Sequence, residues 1–243
     1  MQRTENQFIF EDDEFYRMDI VHTDVVLETR HATREFLVDI RHVPDNKPKP
    51  VVLFVHGFKG FKDWGPFNLM ADYFAQAGFV FVKMNFSHNG TTVAQPHDFA
   101  DLEAFGNNNF SLEQDDLQVV LDKITAGELV DLAETDVDQV YLIGHSRGGA
   151  AAILKAAADE RVTRLATLAA MNDLSSRYDV AVMESWKEEG VQYIHNARTN
   201  QQMPLYYQIV ENYKENEQVL HVPSAISKLD KPFIAFHGTA DET

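Results

Sequence analysis

Three observations predict an α/β fold built on a mostly parallel central sheet with helices on both faces. Short apolar runs alternate with helical stretches through most of the 243 residues, the order that crossover helices between parallel strands produce. One run, residues 51–55 (VVLFV), is apolar at every position, as a strand covered on both faces should be. At residues 140–150 (VYLIGHSRGGA) an apolar run stops at Gly144, Ser146 sits in a Gly-x-Ser-x-Gly pattern, and an Ala-rich helical stretch follows. This succession of strand, abrupt turn and helix is the most specific feature of the chain.

Composition narrows the function classes. Hydrophobic residues make up 44% of the chain, enough to bury the core of a single domain spanning residues 1–243. A formal net charge of −17 argues against nucleic acid and anionic membrane surfaces as partners. There is no run of eighteen apolar residues of the kind that spans a bilayer. The acidic opening, MQRTENQFIFEDDEF, lacks an apolar signal core, which predicts a cytoplasmic protein. With no Cys, disulfides and a thiol nucleophile are excluded. Zinc-ligand spacing, a phosphate-cradling Gly-rich loop and a basic stripe are all missing from the sequence, so no metal or organic cofactor is implied.

The elements follow in order. Residues 25–30 and 35–40 are strand-like and read as a hairpin at the sheet edge, with 31–34 as its turn. Residues 44–50 hold three prolines and read as a loop before the strand at 51–55. Residues 56–65 form a Gly-containing loop. A helix over 66–77 has Pro66 in its first turn and Gly78 at its end. A strand covers 79–84, a polar loop 85–92, and an irregular stretch 93–110 wraps the top of the domain. Ser111, with Gln114 three residues on, reads as a capping box that opens a helix to about residue 125. Its apolar face carries Leu117, Val120, Leu121 and Ile124. A strand at 138–143 leads into the Ser146 turn, a helix covers 150–158, and a strand covers 162–170. Residues 174–230 break the alternation, with aromatic residues and a helical stretch at 204–214, and read as a cap or lid insertion. Residues 231–236 return to strand.

At the Ser146 turn, Gly144 and Gly148 must be small because a side chain there would meet neighbouring backbone. The turn lifts the hydroxyl above the sheet edge and aims the following helix N-terminus at an approaching carbonyl. An accidental Gly-x-Ser-x-Gly in a surface turn is the bland alternative; the flanking strand and helix favour chemistry. Lys59 and Lys62, in the loop at 56–65, offer two readings: attraction of an anionic substrate, or solvated surface lysines, and the second is favoured.

Together, His56-Gly-Phe, the elbow at 144–149 and His237-Gly-Thr-Ala-Asp241 resemble the α/β-hydrolase superfamily. The resemblance is nearest to the branch of dienelactone hydrolases, feruloyl-type esterases and the hydrolase domain of prolyl oligopeptidases. It covers residues 25–243 and implies an α/β-hydrolase fold with serine-hydrolase chemistry. It assigns Ser146 as nucleophile and the backbone N–H groups of Phe58 and Arg147 as oxyanion donors, with the Arg147 side chain tied into local structure. It assigns Asp241, 95 residues after the nucleophile (241 − 146), as the triad acid, with Asp173 as the fallback. In the family's order the catalytic His follows the acid. None of the ten His lies beyond Asp241, so the His is expected past Thr243 and the chain reads as truncated before it, with little activity as it stands. His56, His145 and His237 read as shaping motif turns. The implied substrate is a small-molecule carboxylic ester, cleaved through an acyl-enzyme. A peptidase or thioesterase on the same apparatus, and a non-catalytic binding protein on the same scaffold, are the rival readings.

Overall fold

The computed structural model describes residues 19–30, 34–175 and 180–241. Its strands are β1 (Val21–Glu28), β2 (Glu35–His42), β3 (Lys49–Val55), β4 (Val80–Met84), β5 (Thr135–His145), β6 (Val162–Leu168), β7 (Val191–Asn196), β8 (Gln201–Tyr206) and β9 (Phe233–Phe236). Its helices are α1 (Phe67–Gln76), α2 (Leu102–Gly106), α3 (Phe110–Thr125), α4 (Arg147–Ala158), α5 (Val180–Glu189), α6 (Gln208–Glu215), α7 (Glu217–Leu220) and α8 (Val222–Ser227). Seven strands form one sheet in the order β1-β2-β4-β3-β5-β6-β9. The β1–β2 and β2–β4 pairs are antiparallel, and every pair from β4 to β9 is parallel. The predicted α/β architecture is therefore present, with the hairpin at the sheet edge. The turn residues of that hairpin, 31–33, fall outside the described residues.

Period-2 side-chain alternation explains why β3 is apolar throughout. Val51, Leu53 and Val55 join the larger core cluster with α3 and α4, while Val52 and Phe54 join a second cluster with Phe67 and Ala71 of α1. A strand covered on both faces has no polar side to show. Gly78 (φ +86°) ends α1 as the sequence predicts, in the left-handed region where glycine is easiest. Among the described residues no helix is long and apolar enough to cross a membrane.

Three local expectations need correction. The N-cap of α3 is Asn109, whose side chain accepts from the Leu112 N–H at 3.0 Å. Ser111 and Gln114 turn outward from the cap instead: Ser111 Oγ donates to Asn212 Oδ1, and Gln114 Nε2 donates to Ala151 O. Residues 204–214 do not form one helix. Pro204 lies in β8, and α6 begins only at Gln208. The antiparallel pair β7–β8 is a ribbon of two edge strands, where a proline without an N–H is tolerated. Finally, β3 begins at Lys49 and includes Pro50, with a register shift between Pro50 and Val51 absorbing the misfit.

The ribbon rests on the 99–108 segment. Gln201 Nε2 donates to Phe99 O at 3.0 Å, and Gln208 Nε2 donates to Asn108 O at 2.9 Å. Trp186 of α5 donates from Nε1 to Leu205 O at 2.9 Å, tying helix to ribbon. After the ribbon, α8 packs against α4 on the body of the domain.

Candidate active site

Ser146 occupies the junction of β5 and α4 with φ +54° and ψ −121°. A non-glycine residue in this region carries strain of about 1–3 kcal/mol and needs surrounding structure to hold it. That structure is visible. Ser146 N–H donates to Leu168 O at 2.9 Å, and Met171 N–H donates to Ser146 O at 3.2 Å, so the end of β6 pins the turn. The flanking glycines are obligatory: a Cβ on Gly144 would lie 2.3 Å from Gly148 O, and one on Gly148 would lie 2.2 Å from His56 O. The tight turn predicted from the sequence is thus enforced by backbone contact.

The serine stands at the floor of a cavity of about 300 Å³. Phe58, Lys59, Phe110 and Arg147 form one side, and Met171, Leu174, Trp186, Ile194, Leu205 and Ile209 give an apolar wall. The ribbon is the roof, with Gln192 and Ile194 of β7 facing inward at alternate positions. Phe58 follows the end of β3, and Arg147 opens α4, so two main-chain segments meet beside Ser146. Among the described residues, neither N–H donates to an acceptor, and Ser146 Oγ forms no hydrogen bond. The first N–H groups of a helix lack intrahelical partners, which leaves the Arg147 amide available.

The Arg147 side chain is tied into local structure. Its guanidinium lies 2.8 Å from Glu113 Oε1 and stacks over Phe110 and Phe58, with centroid distances of 4.5 and 5.3 Å. One turn along α3, Asp116 is fully buried and accepts from the Ser87 N–H at 2.8 Å. Burial pushes its carboxyl up to about 7.

Asp241 lies past the end of β9, one strand beyond β6, which itself neighbours the nucleophile strand β5. Its carboxylate is 3.4 Å from His237 Nε2. Asp173, in the loop after β6, accepts from the N–H and Oγ of Ser175, both at 2.7 Å. The two motif histidines are engaged structurally. His56 is buried, its Nδ1 donates to Gly57 O at 2.8 Å, and burial holds its imidazole down at about 4. His145 packs edge-on against Phe67 and face-on against Trp64, at 5.8 and 6.5 Å. No described histidine hydrogen-bonds Ser146.

Two sequence expectations about charge come out differently. Lys59 is half-buried and lines the cavity over Ser146. Lys62 is no solvated lysine: it is 3% exposed, with Nζ 2.7 Å from Asp63 and 3.2 Å from Asp24. With Lys83 and Asp39 it belongs to a buried network assembled from β1, β2, β4 and the loop after β3. The sequence reading also missed the β7 residues over the cavity. The signal was there, because 191–196 holds Val, Tyr and Ile and leads into a turn with Asn200 at positive φ.

Comparison with known proteins identifies the fold. A family model described as the alpha/beta hydrolase fold matches residues 50–238. No curated protein sequence matches the chain. Among solved structures, DcsB in complex with a substrate analogue superposes with a TM-score of 0.64 at 12% identity, covering 91% of this chain and 90% of that one. The esterase domain of a Rhodothermus marinus protein gives 0.56 at 19% identity, covering 93% and 78%. Esterase Est22 gives 0.57 at 14% identity; the match covers 89% of this chain but only 62% of Est22. At these identities the superpositions establish a shared fold.

Proposed function

Because the chain belongs to the alpha/beta hydrolase fold family, we propose that it is a serine hydrolase that cleaves a small carboxylic ester through an acyl-enzyme. The observation that carries this reading is Ser146 held in a strained turn beneath an apolar cavity, beside two main-chain amides without acceptors. In this reading the Ser146 hydroxyl attacks the ester carbonyl. The hydroxyl is protonated at neutral pH, so a base must remove its proton during attack. In this reading that base is a histidine oriented by Asp241. The Phe58 and Arg147 N–H groups receive the oxyanion, each lowering the barrier by about 3 kcal/mol. The histidine then protonates the departing alcohol, and water, activated by the same base, releases the acid.

Nearby features fit these roles. The Glu113 contact and the two aromatic rings fix Arg147, so its amide is positioned in advance. The apolar wall from Met171 to Ile209 suits the hydrocarbon part of an ester. The test is covalent labelling of the full-length protein with a fluorophosphonate, followed by peptide mass spectrometry. The label is expected on Ser146 and lost in Ser146→Ala; labelling elsewhere, or none, overturns the assignment. With p-nitrophenyl esters as substrates, Ser146→Ala should lower kcat/KM by at least about a thousandfold. Turnover of aminoacyl-p-nitroanilides alone would move the assignment to a peptidase.

A further inference from the structure

Beside the cavity over Ser146 is a second one of about 230 Å³, sharing Phe58 and Lys59 with the first. Its remaining wall includes Trp64, His145, Asn196 and Arg198. The chain carries 38 Asp and Glu against 21 Lys and Arg, yet among the described residues this wall holds Lys59 and Arg198 and no carboxylate. Among the described residues neither cation forms a salt bridge. Arg198 is steadied by stacking alone, with its guanidinium 5.1 Å from the Phe61 centroid and 5.5 Å from that of Phe99.

Two further observations point to a ligand. Asn196 is only 6% exposed, and its Nδ2 has no hydrogen-bond acceptor, whereas buried polar groups are almost always paired. Its Oδ1 accepts from the Arg198 N–H at 3.3 Å, which turns the NH₂ donor away from that backbone. Lys59 adopts φ +54° in a turn closed by the Gly60 N–H donating to Gly57 O at 3.1 Å. Glycine would take that position without strain, and a lysine there costs backbone energy while bringing a cation to both cavities.

We propose that this cavity binds an anionic group of the substrate, a carboxylate or a phosphate, carried by an ester whose hydrocarbon part lies over Ser146. The proposal rests on the hydrolase reading and narrows its substrate class. Ile194 faces the first cavity and Asn196 the second, one side-chain repeat apart on β7 and separated by about 7 Å. That spacing suits a short half-ester with its free acid close to the reacting carbonyl. Lys59 and Arg198 supply charge, and Asn196 Nδ2 supplies a directional donor. The apolar wall of the first cavity, from Met171 to Ile209, suits the hydrocarbon part, so orientation follows from the pairing of the two.

The two tryptophans make the test direct, since Trp64 lines the second cavity and Trp186 the first. In a Trp186→Phe background, Trp64 fluorescence is titrated with glutarate and, separately, with inorganic phosphate at constant ionic strength. A saturable change with either anion is expected, and which anion binds more tightly identifies the charged group. Arg198→Gln and Lys59→Asn should each weaken binding about tenfold. Arg198 is exposed in a turn, and asparagine tolerates the left-handed backbone at position 59, so both variants should keep the fold. No saturable response, or equal affinity in the variants, overturns the proposal. Fluorophosphonate labelling separates the two readings. Label without anion binding removes the subsite and leaves the hydrolase; anion binding without label leaves an anion site and removes the ester chemistry.

Discussion

Strands β3 and β9 have similar apolar sequences and opposite surroundings. Residues 51–55 of β3 are at most 1% exposed, whereas Phe233, Ile234 and Phe236 of β9 are 39%, 53% and 53% exposed. The difference lies in position. Among the described residues, β3 has β4 and β5 on its two edges and helices over both faces, while β9 pairs with β6 alone. Open grooves run along both faces of β9, one bordered by Phe74, Phe79 and Tyr141, the other by Ile153, Met171 and Val222. Apolar composition marks a strand, but sheet order decides what covers it. The candidate site spans this divide, with Ser146 leaving the closed centre and Asp241 following the open edge.

The strongest way to break the comparison is at the closed end. Gly148→Ala places a Cβ 2.2 Å from His56 O and 2.6 Å from Val55 O, both main-chain atoms at the end of a buried strand. Nothing flexible can yield, so a loss of about 4 kcal/mol or more is expected in chemical denaturation. Stability close to that of the native chain would show that the turn is less tightly held than its contacts indicate. A matched pair then measures the contrast itself. Leu142→Ala in β5 (0% exposed) should cost about 3 kcal/mol, and Ile234→Ala in β9 (53% exposed) less than about 1 kcal/mol. Equal losses would mean that the open edge is covered in solution.

The finest test is a slope rather than a loss. Asp116 is raised by burial from 3.8 to about 7, with Glu113 and Asp115 adding to the rise. The folded state therefore holds a proton that the unfolded state releases, and stability should fall as pH rises from about 4 to about 7. Asp116→Asn keeps an acceptor for the Ser87 N–H and cannot ionise, so it should flatten this part of the stability–pH curve. An unchanged slope would show that Asp116 does not titrate in that interval.

The fold was legible where local chemistry decided it. The Gly144–Ser146–Gly148 turn, the ends of α1 and the continuous apolar run of β3 follow from steric and pairing rules acting on adjacent residues. What escaped depended on distant partners. Lys62 is buried because Asp24 and Asp63 converge on it, and no spacing near position 62 announces Asp24. The cap of α3 went to Asn109 rather than Ser111, two side chains with similar capping ability, because Asn212 engages Ser111. Pro204 read as a helix start and became part of a ribbon, since an edge strand asks nothing of its missing N–H. The second cavity draws on residues near positions 60, 145 and 197, a juxtaposition that exists only after folding.

The β7 roof has an evolutionary corollary. Its inward set is Gln192, Ile194 and Asn196, and its outward set includes Tyr193 and His195. Inserting or deleting one residue before Gln192 would exchange the two sets while leaving the serine and its neighbouring amides untouched. Selectivity in such a molecule can be rewritten by a register slip in a peripheral ribbon, and the reacting centre need not take part in the change.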